Sequence, residues 1–118
     1  MSRDWQLFFL DLVDFCERII DYTSGLTRAE FEGHQMIYDA TVRNVELLGE
    51  AAKGVPEAVR AQMPDIPWRE IISIRNVLAH EYFGVNNDVL WDVAQIEVPE
   101  LLSRLQTYRD RIQRGEIS

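Results

Sequence analysis

The chain has little of what several common protein classes require. It contains one cysteine, Cys16, among 118 residues, so no internal disulfide can form. Its apolar runs fall far short of the roughly 20 residues that a membrane span needs. The six glycines are scattered and match no phosphate-binding loop. No histidine, cysteine and carboxylate spacing resembles a zinc site. We therefore expect a cytoplasmic protein with no cofactor, no bound metal and no membrane span.

Basic residues are also scarce. Lysine and arginine together number 12, against 20 aspartates and glutamates, which gives a net charge of −8. Proteins that bind nucleic acids usually carry a basic surface, so this balance predicts weak non-specific binding to RNA or DNA. The same charge would suit docking to a basic protein partner.

The length predicts one domain, residues 1–118, with a modest core. Apolar residues from Trp5 to Tyr22 recur every three or four positions, which is typical of a one-faced helix. Thr27 and Glu30 form a capping box that should begin a long helix ending at Lys53, before Gly54. The small residues near its end, Gly49 among them, would allow another helix to approach closely.

The second half of the chain predicts two further long helices. Pro67 suits the first position of a helix that ends near Ala79 or His80. Asn86, Asn87 or Asp88 could cap a last helix that runs towards Arg114 and is kinked or split at Pro99. With no sustained strand pattern, the fold class should be all-α, an antiparallel bundle of four main helices.

Four other side chains have plain structural explanations. Cys16 lies among apolar residues and should belong to the core. Trp68 and Trp91 lie on apolar stripes, so we expect them in the core or a dimer interface. His34 stands apart from other metal-binding residue types and should be a surface or partly packed residue.

The segment from Arg75 to Tyr82 carries the chemistry of the chain. Arginine binds phosphate through a planar fork of donors, and histidine exchanges protons near neutral pH. At about 100° per residue, Arg75 and His80 lie roughly 140° apart on a helix, so they do not share one face. Either His80 turns back beyond the helix end, or a second copy of the chain completes the site. The structural alternative is that Arg75 pairs with a carboxylate while His80 and Tyr82 cap the helix.

The sequence around this segment resembles the HepT family of HEPN-domain ribonuclease toxins. The family hallmark is R-x4-H-x-Y, and Arg75, His80 and Tyr82 fill its three positions. Asn76 matches the polar residue that often follows the arginine. The flanking blocks PWREIISI before the motif and RNVELLGEAAK from position 43 also match, and the resemblance extends from about Trp5 to about Arg109.

The resemblance implies an all-helical homodimer that degrades RNA without a metal. It also implies a partner, a nucleotidyltransferase antitoxin of the MNT type, which neutralises the toxin by adding AMP to Tyr82. On this interpretation Arg75 would hold the scissile phosphate and His80 would act as general base or acid. Asn76 would orient the arginine or the phosphate.

Two further possibilities remain open at this point. A ladder of charged residues on the second helix, Arg43, Glu46, Glu50 and Lys53, could be a simple row of surface ion pairs. Alternatively Asn44, Glu46 or Glu50 could position the Arg75–His80 segment. The whole protein could also be a non-catalytic helical module that docks to a nucleotidyltransferase or presents substrate to it.

Overall fold

A computed structural model describes residues 4–79 and 84–118. Within those ranges the chain is helical, with no strand beyond an isolated antiparallel bridge between Ala79 and Val85, which confirms the all-α prediction. None of the helices there is both long and apolar enough to cross a membrane. The elements are α1 (Trp5–Thr23), α2 (Arg28–Gly33), α3 (Gln35–Lys53), α4 (Glu57–Arg60), α5 (Trp68–Ile72), α6 (Ile74–Leu78), α7 (Asn87–Asp92), a π-helical turn (Val93–Glu97) and α8 (Val98–Gln113).

Helix α1 lies against both α3 and α8. It begins after Asp4, whose carboxylate accepts a hydrogen bond from the Gln6 N–H at 2.8 Å. Its buried face is wider than the predicted stripe, because two neighbouring helices cover it rather than one. The buried residues are Phe9, Leu12, Val13, Cys16, Ile19 and Thr23, whereas Trp5, Phe8, Phe15 and Tyr22 of the predicted stripe are only half-buried.

The helix predicted from Thr27 to Lys53 is interrupted, so the prediction of one continuous helix was wrong. The capping box is present, since the Thr27 hydroxyl and the Glu30 carboxylate each accept the other's backbone N–H. The chain then leaves helical geometry at His34, which has an extended backbone (φ −108°, ψ 94°). Gly33 precedes the break and is a poor helix former. The exposed His34 caps α3, because its Nδ1 accepts the Ile37 N–H at 3.3 Å.

The predicted third helix is also divided, at Ser73. Pro67 is the residue before the first turn of α5 rather than its first position. The Ser73 hydroxyl donates to the carbonyl of Arg69 at 2.8 Å, a contact that bends helices. Ser73 itself adopts φ −95° and ψ 13°, and α6 continues from Ile74 to Leu78. The helix therefore ends one residue before the predicted range of Ala79 or His80.

The last helix is split upstream of Pro99, as predicted. Asn86 is the capping residue, since its side-chain oxygen accepts the N–H groups of Asp88 and Val89. In the π-helical turn the Val98 N–H donates to the carbonyl of Val93, five residues back. Proline has no N–H and collides with the carbonyl four residues before it in a regular α-helix. The wider turn places Pro99 in the first turn of α8, where neither problem arises.

The core confirms the structural predictions for the apolar residues in the second half. Trp68 is buried and its indole N–H donates to the Met63 carbonyl at 3.1 Å. Trp91 is half-buried, with its ring 5.4 Å from that of Phe31. The predicted stripe of the last helix is buried at Val98, Leu101, Leu105 and Tyr108.

Glycine lets α3 approach α5 and α6. A Cβ added at Gly49 would lie 3.0 Å from the Ile71 carbonyl oxygen and 3.1 Å from Cγ2 of Ile74. Both distances are at or below the limit of ordinary van der Waals contact. The close helix approach predicted from the small residue is therefore present, and it brings α3 against the helix that carries Arg75.

Candidate active site

The described part of the R-x4-H-x-Y motif lies on α6. Arg75 and Asn76 are both exposed there. His80 and Tyr82 lie outside the described residues. The structure therefore describes the arginine of the motif and the residues on either side of the undescribed segment, Ala79 and Gly84.

Arg75 forms an ion pair with Glu46 of α3. Its Nε atom lies 3.6 Å from Oε2 of the carboxylate. At that distance the contact is a charge pair rather than a well-formed hydrogen bond. The Arg75 side chain is 68% exposed and that of Glu46 is 30% exposed. The cation therefore faces solvent, while the carboxylate beside it is more enclosed.

A small cleft of about 120 Å³, called here the motif cleft, surrounds this ion pair. Its walls come from α3, from α6 and from both described ends of the motif segment. The lining residues are Val42, Glu46, Arg75, Leu78, Ala79, Gly84 and Val85. Arg75 is thus placed where the chain departs towards His80 and Tyr82.

The described ends of the motif segment are joined to each other. Ala79 pairs with Val85 in an antiparallel bridge, and the Asn86 N–H donates to the Leu78 carbonyl at 2.6 Å. Gly84 has φ 90°, in the left-handed region that favours glycine. These contacts fix the exit from α6 relative to the entry into α7.

The other positioning candidates on α3 lie elsewhere. Glu50 is exposed and pairs with Lys53 at 3.4 Å. Asn44 is buried, with its amide nitrogen donating to the Ala40 carbonyl at 2.8 Å. The Asn44 side-chain oxygen has no hydrogen-bond partner among the described residues. Sequence reasoning named Glu46 beside these two but could not choose among them, because the choice depends on how α3 is rotated against α6.

The described residues offer little else that resembles a functional site. In residues 4–79 and 84–118, no group of three or more histidine, cysteine or carboxylate side chains could hold a metal ion. A second cleft of about 220 Å³ lies between the α5–α6 segment and the start of α8. Its apolar lining includes Ile71, Ile74 and Leu101, and its charged lining residues are Glu70, Glu97, Glu100 and Arg104. Arg104 pairs with Glu100 at 2.7 Å and donates to the Asp65 carbonyl at 2.6 Å, so it is held more closely than Arg75.

The motif cleft suits recognition of an anion. A guanidinium has two donor edges and can bind phosphate through two parallel N–H bonds. Glu46 lies beside the Nε atom of Arg75. The other N–H donors are on the two terminal nitrogens of the same side chain, which is exposed to solvent. The fold and the site together define a helical domain with an exposed arginine in a cleft, directly before a segment whose sequence contains a histidine.

The chain belongs to the HepT-like ribonuclease family, whose model matches residues 12–108. This confirms the family that the motif and its flanking blocks predicted.

Similar proteins occur in archaea and bacteria. The chain is 31% identical over 105 residues to a candidate RNase of Methanocaldococcus jannaschii, covering 89% of this chain and 96% of that protein. It is 31% identical over 109 residues to a candidate ribonuclease HepT of Thermococcus cleftensis, covering 92% and 99% of the two chains. A candidate RNase of Caldanaerobacter subterraneus is 38% identical over 86 residues, covering 73% and 77%. No solved structure shows significant similarity to the chain.

Proposed function

We propose that this chain is the ribonuclease toxin of a toxin–antitoxin pair, and that it cleaves RNA in the cytoplasm without a metal ion. The observation that carries the proposal is the exposed Arg75, paired with Glu46 in the motif cleft, at the start of the segment that contains His80. Membership of the HepT-like ribonuclease family supports RNA as the substrate, and a guanidinium is suited to bind the phosphate of its backbone.

The proposed reaction is an in-line transfer within the RNA. His80 removes the proton from a ribose 2′-hydroxyl, and that oxygen attacks the adjacent phosphorus while the bond to the 5′-oxygen of the next nucleotide breaks. The leaving oxygen takes up a proton from water, and the products are a 2′,3′-cyclic phosphate and a 5′-hydroxyl. Arg75 stabilises the charge that builds on the phosphoryl oxygens. Asn76, the next residue on α6, orients the arginine or the phosphate.

We further propose that the active form is a homodimer. Val77, 47% exposed, lies within the motif on the same short helix as Arg75, and its apolar side chain is one that a second copy would cover. Two copies related by a two-fold axis would place two arginines and two histidines along one groove. Such a pairing would also offset the weak attraction of an acidic chain for RNA, because the cations would be concentrated at one place.

Control by a nucleotidyltransferase antitoxin of the MNT type completes the proposal. The partner would transfer AMP from ATP to the Tyr82 hydroxyl, forming a phosphodiester and releasing pyrophosphate. Each AMP adds negative charge and a bulky nucleoside to a site that binds phosphate. RNA would then be repelled and obstructed.

One expression experiment with two arms tests this function. In the first arm, wild type, Arg75→Ala and His80→Ala are expressed alone while growth and RNA integrity are followed. We expect wild type to arrest growth and both variants to lose at least about 100-fold in cleavage rate, since each removes a group needed in the transition state. Purified wild type should retain cleavage in EDTA. Loss of activity in EDTA that a divalent ion restores would exclude the proposed chemistry.

In the second arm, the antitoxin candidate and ATP are added and the intact mass of the chain is measured. Wild type should gain the mass of AMP and lose activity, whereas Tyr82→Phe should not gain mass. A gain that persists in Tyr82→Phe would place the modification on another residue. If wild-type protein causes no growth arrest and cleaves no RNA but still binds the nucleotidyltransferase, the chain is the non-catalytic docking module.

A further inference from the structure

We propose that Glu46 is a positioning residue that holds Arg75 by the Nε edge of its guanidinium and directs the opposite edge towards the substrate phosphate. The inference rests on the proposed ribonuclease function. Neither the hallmark R-x4-H-x-Y nor the family match assigns a role to this carboxylate, which lies 29 positions upstream of the arginine on a different helix.

The atoms that meet support this role. The closest approach joins Glu46 Oε2 to Arg75 Nε at 3.6 Å. A guanidinium carries one N–H at Nε and two at each terminal nitrogen, arranged as a planar fork. A carboxylate beside Nε leaves the edge formed by the two terminal nitrogens unoccupied. That edge is the one that can bind two oxygens of a phosphate end-on.

The exposure of the two side chains also supports a role for Glu46 in holding Arg75. Glu46 is 30% exposed and lies at the wall of the motif cleft, whereas Arg75 is 68% exposed. An exposed arginine without a partner would sample many rotamers, and ordering it during the reaction would cost entropy. A half-buried carboxylate reduces that freedom before substrate arrives, which is the general benefit of a preorganised site.

The pair is built into the contact between two helices. Many surface ion pairs contribute little, so proximity alone would be weak support. Here, however, Gly49 lies one turn after Glu46 on α3, and a Cβ added there would lie only 3.1 Å from Cγ2 of Ile74, the residue before Arg75. The close approach at Gly49 therefore sets the distance between Glu46 and Arg75. By contrast, Asp39 on the same helix accepts a hydrogen bond only from Gln35, at 2.7 Å, among the contacts described for its side chain.

A positioning role has a signature that loss of folding would not produce. The Glu46 carboxylate repels the RNA backbone while it orients the arginine. Removing its charge should therefore strengthen RNA binding and slow cleavage at the same time. A variant that is merely misfolded would cleave more slowly but would not bind RNA more tightly.

The test compares purified Glu46→Gln, Glu46→Asp, Arg75→Ala and the charge-matched control Asp39→Asn. The substrate is an RNA that wild type cleaves, and binding is measured with its 2′-deoxy counterpart, which lacks the attacking hydroxyl. For Glu46→Gln we expect kcat to fall about 10-fold through misorientation. We expect Kd for the 2′-deoxy strand to fall about 3-fold because one nearby like charge is gone. Glu46→Asp should recover part of kcat, and Asp39→Asn should match wild type in both values.

The outcomes separate the two proposals. If Arg75→Ala cleaves as fast as wild type, the proposed function of the arginine fails, whatever Glu46 does. If Arg75→Ala is inactive but Glu46→Gln has the kcat of Asp39→Asn, the positioning role is wrong and the proposed function stands. A fall in kcat without tighter binding, or with a lowered unfolding temperature that Glu46→Asp does not restore, would assign Glu46 to structure alone.

Discussion

Cys16 shows how the environment of a single residue decides its chemistry. Its side chain is fully enclosed on α1, and burial, assisted by the nearby charge of Glu17, raises the pKa of its thiol to about 12. The thiolate, not the thiol, is the reactive form of cysteine. The core placement predicted from its apolar neighbours is confirmed, and it leaves Cys16 without a role in the chemistry of the motif cleft.

The raised pKa predicts a loss of stability at alkaline pH. The ordinary pKa is 9.0 and the folded value about 12, so between them the unfolded chain releases a proton that the folded chain keeps. The contribution of Cys16 to the free energy of unfolding is therefore fully present below pH 9. It declines as pH rises towards 12, with a slope approaching about 1.4 kcal/mol per pH unit. Urea unfolding at about pH 8 and about pH 10 measures it.

Cys16→Ala provides the comparison for that measurement. It should be less stable than wild type at about pH 8 because a cavity is left, but it should lose less stability on going to about pH 10. The interval stops there because burial also raises the pKa values of Tyr38 and Tyr108 above 10.0, and their contributions would overlap. Equal losses in the two proteins would show that Cys16 does not cause the pH dependence.

At the scale of helices, the sequence predicted the caps and the helix ends, but it did not predict where a helix is interrupted. The Thr27 capping box, the Asn86 cap and the helix end before Gly54 are determined by residues within one turn, so the sequence displayed them. The breaks at His34 and Ser73 interrupt segments whose apolar pattern looks continuous. Gly33 and Ser73 are local features of these breaks, but both residue types also occur inside continuous helices, so neither one predicts a break by itself.

The same limit applied to the site. The motif and its flanks identified Arg75 as the arginine of interest, and the structure places it in a cleft. The partner of Arg75 could not be read from the sequence, because Asn44, Glu46 and Glu50 all lie within two turns of one helix. Only the rotation of α3 against α6, which Gly49 permits, brings the Glu46 side chain to the arginine.

The contact between α3 and the motif helix gives a prediction at this scale. Gly49→Ala gains helix propensity but places a Cβ 3.0 Å from the Ile71 carbonyl oxygen, so the helices must separate. Overpacking of this kind costs about 1–3 kcal/mol, and we expect a net loss of about 1 kcal/mol in the free energy of unfolding. Cleavage should fall as well, since the Glu46–Arg75 pair depends on this contact.

Gly33→Ala is the matched control for that substitution. It ends α2, and an added Cβ there would meet no atom within 4 Å. It should therefore raise the unfolding free energy, by up to about 1 kcal/mol, without affecting cleavage. If both variants are stabilised and both remain as active as wild type, the close approach at Gly49 does not control the Glu46–Arg75 pair.

For the molecule as a whole, net charge and self-association act against each other. Each chain carries −8, so two copies repel each other at long range. We predict a homodimer held by apolar contact near the motif, with an affinity that rises as salt screens the repulsion. Light scattering at micromolar concentration, repeated at low and high salt, measures the mass directly.

Val77→Glu tests where the two copies meet. A charge at this exposed apolar position on α6 should convert the dimer to a monomer and reduce cleavage. Met36→Glu, which makes the same kind of change at an exposed position on α3, shows the effect of added charge alone. A wild-type monomer with full activity would contradict the dimer, and a dimeric Val77→Glu would place the interface away from the motif.

The bridge between Ala79 and Val85 bears on how the motif can vary during evolution. Hydrogen bonds join the chain on the two sides of the motif segment. The relative position of α6 and α7 therefore does not depend on the number of residues that connect Ala79 to Val85. Doubling the length of a flexible connection costs only about 0.6 kcal/mol in closure entropy. Helix packing therefore imposes almost no selection on the number of residues between Ala79 and Val85. If the spacing between His80 and Tyr82 is constant among relatives, the chemistry of the motif is what holds it.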